Sequence, residues 1–257
     1  MRPHLVVKES RPSVVTEHLP KVFTKIRANW LNKRIHPDAA IVAAIASLFI
    51  MLVSIIDWSN QFGLSGYLDA SGQLVFGQRE FWRLWTATLV HSDLKHLLSN
   101  LFMFFILGWF LFGYFGSVLF PLSAFVAGGI LNAVILQTYD PHVTLIGASG
   151  IVFYLGGVWL ALYFFIQRQL SLFQRVLRTG GVALALFMPS EVFDPAISYR
   201  THFLGLFVGA IVGTIYFVLH KKRLRAAEVT EYIVEEPDGE QAEALEDASE
   251  DAFTDLS

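Results

Sequence analysis

Apolar runs of about 20 residues recur along this chain from Ala39 to Leu219. A helix rises about 1.5 Å per residue, so each run is long enough to cross the roughly 30 Å hydrocarbon core of a bilayer. Within that core every backbone N–H and C=O must be satisfied inside the protein, which an α-helix achieves within one segment. The runs read as six spans: Ala39–Ile56, Leu94–Phe115, Val118–Leu136, Gly147–Ile166, Leu177–Met188 with its flanks, and His202–Leu219. The predicted fold class is an all-α polytopic membrane protein. The fifth run is the shortest and leads into Pro189, Glu191 and Asp194, so it is expected to tilt or to be shielded by its neighbours.

Charge divides the chain into three stretches. Only 16% of residues are charged, against about a quarter in soluble domains. Residues 1–38 form a basic N-terminal segment, 39–220 the helical core, and 221–257 a tail that is basic and then acidic. Arg2, Lys8, Arg11, Lys21, Lys25, Arg27, Lys33 and Arg34 mix with Val22, Phe23 and Trp30, as in a solvated arm or an amphipathic element on anionic lipid. Glu228 to Asp255 holds 12 of the 22 acidic residues and no Lys or Arg, a composition expected to stay disordered. Cysteine is absent, which excludes disulfides, thiolate catalysis and Cys-based zinc sites. Met1 to Asp38 has no apolar h-region, so no cleavable signal peptide is expected. If six spans alternate, the N-terminal cluster, the loop with Arg168, Arg175 and Arg178, and the run Lys221 to Arg225 share one side, which the positive-inside rule makes cytoplasmic.

Polar side chains within such runs are costly and point to function by default. Four stand out: His96 and Asn100 on the second span, Ser149 on the fourth and His202 on the sixth. Counted from outer ends near Leu94, Ile146 and Thr201, His96, Ser149 and His202 each lie within about one turn of the same membrane edge. Asn100 follows His96 by four positions and shares its helix face one turn deeper. Ser149 sits in Gly147-Ala148-Ser149-Gly150. Small neighbours there let a substrate backbone approach, and amides of a first helical turn can donate to an oxyanion. The same residues also suit a small-residue packing patch.

His202 precedes a face of Gly205, Gly209 and Gly213 that lets another helix come very close. If the sixth span packs on the fourth, imidazole and hydroxyl come within the roughly 2.6–3.2 Å that proton transfer requires. The competing reading is an interfacial histidine bonded to water. No Asp or Glu lies in a span to orient the histidine, since Glu191 and Asp194 fall in a loop. The arrangement would be a dyad, with His96 and Asn100 as further oxyanion donors. His91, His96 and His202 also admit a metal reading, but their spacing is loose and no carboxylate pairs with them on a helix. Asn132, Gln137 and His142 read as interhelical or interfacial polar contacts.

Taken in order, these residues resemble the rhomboid proteases. The resemblance runs from about Phe81 to Gly213 and rests on Trp82-Arg83 in the first external loop, then His91, His96-Leu97-Leu98-Ser99-Asn100 and Gly108. It continues with Gly147-Ala148-Ser149-Gly150 on the fourth span and His202-Phe203-Leu204-Gly205 with Gly209 on the sixth. The resemblance implies a six-transmembrane-helix rhomboid-like bundle whose fourth helix begins beneath a water-filled cavity open to the outer side. It makes Ser149 the nucleophile and His202 the base and then the acid. His96, Asn100 and the Ser149 backbone amide would hold the oxyanion, supported by Gly147, Gly150, Phe153, Gly205, Trp82 and Arg83.

The implied partners are transmembrane protein substrates, mostly single-span and cut near the outer face after local unwinding, within the lipid bilayer. No cofactor, metal or nucleic acid is implied. The implied setting is the bacterial inner (cytoplasmic) membrane, with both termini cytoplasmic. Two positions depart from the family's pattern: Thr201 stands where a small Ala is frequent, and Phe153 where some members carry a Tyr beneath the imidazole. The alternative is a non-catalytic rhomboid-like protein that binds membrane clients, though such relatives typically lack the serine or the histidine. A transporter would show paired broken helices or charges at mid-membrane instead.

Overall fold

A computed structural model describes residues 21–187 and 199–235 of the protein. The chain divides into two compact units, residues 26–229 and a smaller one built from residues 1–25 and 230–257. Strands β1 (Lys21–Ala28) and β2 (Val229–Glu235) pair as a two-stranded sheet. Neither strand was expected, since the fold class reads as all-α and the tail beyond Arg225 as disordered. Their β-branched and aromatic content explains them: Val22, Phe23, Thr24 and Ile26 in β1, then Val229, Thr230, Tyr232 and Ile233 in β2.

The larger unit is helical: α1 (Ala39–Ser59), a short α2 (Arg83–Thr86), α3 (Leu94–Phe115), α4 (Ser123–Leu136), α5 (Ser149–Ile166), α6 (Leu172–Phe187) and α7 (Tyr199–Arg225). A π-type turn at Val118–Leu122 runs into α4, so the third apolar run extends over Val118–Leu136 as expected. Among the described residues, five helices are long and apolar enough to cross a membrane. The fifth predicted span corresponds to α6, which starts earlier than Leu177 and ends at Phe187; Met188 lies outside the described residues. Over its 16 described residues α6 is shorter than those five, which run from 18 to 27 residues.

The helices sort by burial. α1 turns Ile41, Ile45, Leu48, Phe49 and Leu52 outward and buries Ala39, Ala43, Ile50 and Ser54. A face of large apolar side chains like that suits lipid and would be a liability in water. α5 is the opposite case, with Tyr154, Leu155, Val158 and Leu162 almost fully buried at the centre of the bundle. α7 lies directly against α5 because glycine leaves room for backbone contact: a Cβ on Gly205 would stand 2.5 Å from the Gly150 carbonyl oxygen, and one on Gly213 2.6 Å from that of Val158. A Cβ on Gly209 or Gly157 would likewise strike the backbone of the facing helix. Close approach of this kind is how helices associate where no hydrophobic effect drives them together.

The segment between α1 and α3 is folded onto the bundle rather than loose. Arg83, 3% exposed, donates to the Gly66 and Asp69 carbonyls at 3.0 and 2.8 Å and is ion-paired with Glu80 at 2.5 Å. The Trp85 indole donates to the Phe125 carbonyl at 3.0 Å, and Asn132 Nδ2 to the Leu84 carbonyl at 2.8 Å. Asn132 therefore fastens α4 to this segment, in keeping with its reading as an interhelical polar contact.

Candidate active site

Ser149 is the first residue of α5, and its placement is decided by the four residues before it. Leu145 pairs with Ala70 through two backbone hydrogen bonds of 3.2 and 2.7 Å. The Gly147 amide donates to the Ala87 carbonyl at 2.8 Å, and the Ala148 amide to Nε2 of His91 at 3.2 Å. Gly147 has φ +109°, a backbone conformation that side chains disfavour, and a Cβ there would stand 2.9 Å from the His96 ring. A turn that glycine makes possible, pinned at Leu145, Gly147 and Ala148, thus delivers Ser149 to the head of a buried helix.

His91 is 1% exposed and makes hydrogen bonds through both ring nitrogens. Because Nε2 accepts from Ala148, the proton of the neutral ring sits on Nδ1, which faces Ser54 Oγ at 3.1 Å. Ser54 in turn donates to the Leu89 carbonyl at 2.9 Å. Burial away from water pushes His91 down to about 3; the nearby His96 adds to the shift and Asp93 opposes it. The imidazole is accordingly a neutral bracket between α1 and the Ser149 turn.

His96 and His91 meet edge to face with ring centroids 5.1 Å apart. Asp93 caps α3 by accepting from the His96 amide at 2.8 Å, and these hydrogen bonds hold its carboxyl below the usual carboxylate range. Ser92 Oγ lies 2.8 Å from Asp93 Oδ2 and 3.2 Å from His96 Nδ1. Asn100 is buried and spends one amide proton on the His96 carbonyl at 3.0 Å, leaving the second for another acceptor.

His202 arrives from α7. Its ring stacks on Phe153, one turn beyond Ser149 on α5, with centroids 4.0 Å apart and planes within 8° of parallel. Tyr199 meets the same imidazole edge-on at 6.5 Å. Just before His202, the buried Thr201 presents its methyl 2.8 Å from where a Cβ of Gly150 would be. Gly147, Gly150, Phe153 and Gly205 therefore all lie where α5, α7 and the preceding turn converge. Trp82 and Arg83 do not, since Trp82 is half exposed and Arg83 is committed to the external segment. Among the described residues, no group of three or more His, Asp or Glu side chains converges as metal ligands would.

Residues 78–219, more than half of the chain, match the Rhomboid domain. The chain belongs to the rhomboid family. Together with five helices suited to crossing a bilayer, that membership makes it an integral membrane protein. Among its relatives, rhomboid protease GlpG of Haemophilus influenzae is 35% identical over 150 residues, covering 56% of this chain and 74% of that protein. Rhomboid-related protein 2 of Mus musculus is 29% identical over 159 residues, 57% of this chain and 52% of the mouse protein.

The family match includes His91, His96, Asn100, Ser149 and His202. His91 is the residue that reasoning from the sequence undervalued, because its contacts are with Ser54 and Ala148, 37 and 57 positions away. Its place among the family markers was the available signal.

Proposed function

We propose that this rhomboid-family protein is an intramembrane serine endopeptidase that cleaves transmembrane segments near the outer face through a dyad of Ser149 and His202. The observation that carries the reading is the parallel stack of His202 on Phe153, which holds an imidazole beside the Ser149 end of α5. Ser149 Oγ would attack the scissile carbonyl while His202 takes its proton, then returns it to the leaving amine. Water would release the acyl group by the same steps in reverse order.

The developing oxyanion would be met by the Ser149 amide, whose place in the first turn of α5 leaves it without an intrahelical acceptor. The second amide proton of Asn100 and Nε2 of His96 would supplement it. For Nε2 to donate, Nδ1 must accept from the Ser92 hydroxyl rather than lose it to Asp93. In this reading α6 serves as a sixth span, both termini are cytoplasmic, and substrates are mostly single-span proteins. Sequestering Ser149 at a pinned turn fits a peptide bond that must first unwind from its own helix.

The test is cleavage of a single-span reporter in liposomes by the intact chain, Ser149→Ala and His202→Ala, paired with labelling by a fluorophosphonate probe. The intact chain cuts and is labelled; each variant, still folded, does neither. Cleavage that persists without Ser149 refutes the mechanism. Neither cleavage nor labelling by the folded intact chain favours the non-catalytic client-binding alternative.

A further inference from the structure

At the far ends of α3 and α7 three segments converge on one aromatic ring. Trp30 is buried, and its indole N–H donates to the carbonyl of Tyr114, near the end of α3, at 2.9 Å. The Lys33 ammonium stands 3.9 Å from the centroid of that ring, and the Arg223 guanidinium, near the end of α7, 4.9 Å from it. Both cationic side chains are exposed. At about 1.5 Å per residue, Tyr114 lies about 27 Å along α3 from His96, and Arg223 about 31 Å along α7 from His202. That separation matches the hydrocarbon thickness, so the ring and its two cations sit at the headgroup level of the opposite interface.

The turn that carries Trp30 is built rigidly. The Asn29 side chain, in a residue only 2% exposed, accepts from the Leu31 amide at 2.9 Å, and the Asn29 backbone amide donates to Asn32 Oδ1 at 2.9 Å. Its side-chain amide donates to Gln167 at 3.1 Å and Gln169 at 2.9 Å. Two like charges are thereby held within about 9 Å of one another on a fixed ring. Nearby, Arg225 and Arg168 share one carboxylate, Glu228, at 2.5 and 3.4 Å. Among the described residues, no carboxylate pairs with Lys33 or Arg223.

We infer that Lys33, Arg223 and Trp30 form a binding site for a phosphate group, the headgroup of an anionic phospholipid. Lys supplies a point charge and Arg a planar fork, a pair of donors suited to two oxygens of one phosphodiester. The indole fixes the depth, since such rings favour the membrane interface. Basic pockets between helix ends are where anionic headgroups are held.

The experiment measures lipid retained by the purified full-length protein in native mass spectrometry, titrating micelles with phosphatidylglycerol, phosphatidylcholine or inorganic phosphate. The intact chain retains phosphatidylglycerol over phosphatidylcholine. Lys33→Gln with Arg223→Gln lowers that retention about 30-fold, from two lost cation contacts. Lys221→Gln with Lys222→Gln, which removes the same charge from the neighbouring turn, leaves it within a few-fold. Helical content in phosphatidylcholine micelles stays unchanged for both pairs, because all four side chains are exposed. Equal losses in the two double variants, or none in the first, overturn the site. If millimolar inorganic phosphate displaces the lipid and binds with the same dependence on Lys33 and Arg223, the site stands with a soluble phosphate as its ligand.

Discussion

Replacing His91 with Ala removes two hydrogen bonds at once, the one accepted from the Ala148 amide and the one shared with Ser54. Both partners lie in a region closed to water, and a buried donor left unpaired costs about 1–3 kcal/mol. The emptied ring volume adds to that loss. A second consequence comes from pH. The folded protein holds His91 well below its ordinary value, at about 3, so the neutral ring contributes stability that is fully present above pH 6.5 and is lost as pH falls toward 3. At about 1.4 kcal/mol per pH unit, the loss attributable to this group reaches about 2 kcal/mol by pH 5.

His91→Gln separates the two effects, because its side-chain oxygen can accept from Ala148 while carrying no titratable proton. The assay is thermal unfolding in mild detergent at pH 7.5 and pH 5, alongside reporter cleavage at the higher pH. His91→Ala should melt well below the parent and cut at least about 100-fold more slowly, as expected when a reacting group is displaced by about 1 Å. His91→Gln should regain part of the stability and lose the parent's extra sensitivity between the two pH values. An equally stable Ala variant, or a Gln variant with the parent's full acid sensitivity, would refute the bracket.

Three further outcomes follow from the packing. Gly209→Val sets a branched side chain against the backbone of Tyr154 and should cost about 3 kcal/mol or more, read as a drop in melting temperature. Arg83→Ala strands Asp69 and Glu80 and should cost about 3–5 kcal/mol, of which Arg83→Lys restores less than half because one ammonium cannot reach every partner of the guanidinium. Phe153→Ala removes the ring beneath His202 and should slow cleavage about 2- to 10-fold, whereas Phe153→Tyr keeps the stack and the rate.

The spans were legible in the sequence because bilayer thickness imposes a length that composition alone reveals, as the matching ends of Leu94–Phe115 illustrate. The last span was underestimated for the same reason: Tyr199 to Arg225 is one helix, but polar and charged residues at its ends lie outside any apolar window. α6 escaped definition because Gln174, Arg175 and Arg178 interrupt its apolar residues. The two strands were hidden by the charge of their surroundings. Among the candidate residues, the glycine face of α7 was readable from spacing four, and the stack of His202 on Phe153 from resemblance. The hold of His91 on Ala148 was not, since no local pattern tells which turn a loop histidine will touch.

The turn before Ser149 is held by Ala70, Ala87 and His91, all of which precede it in the chain. A ribosome therefore finishes these three anchors of the turn before it makes the serine itself. His202 comes 53 residues later, on α7. In a chain built from its N-terminus, the proposed nucleophile is seated while its base is still unmade. On the proposed mechanism, peptide-bond cleavage would then wait for α7 to lock onto α5, and a half-synthesised protein would be inert toward its membrane neighbours.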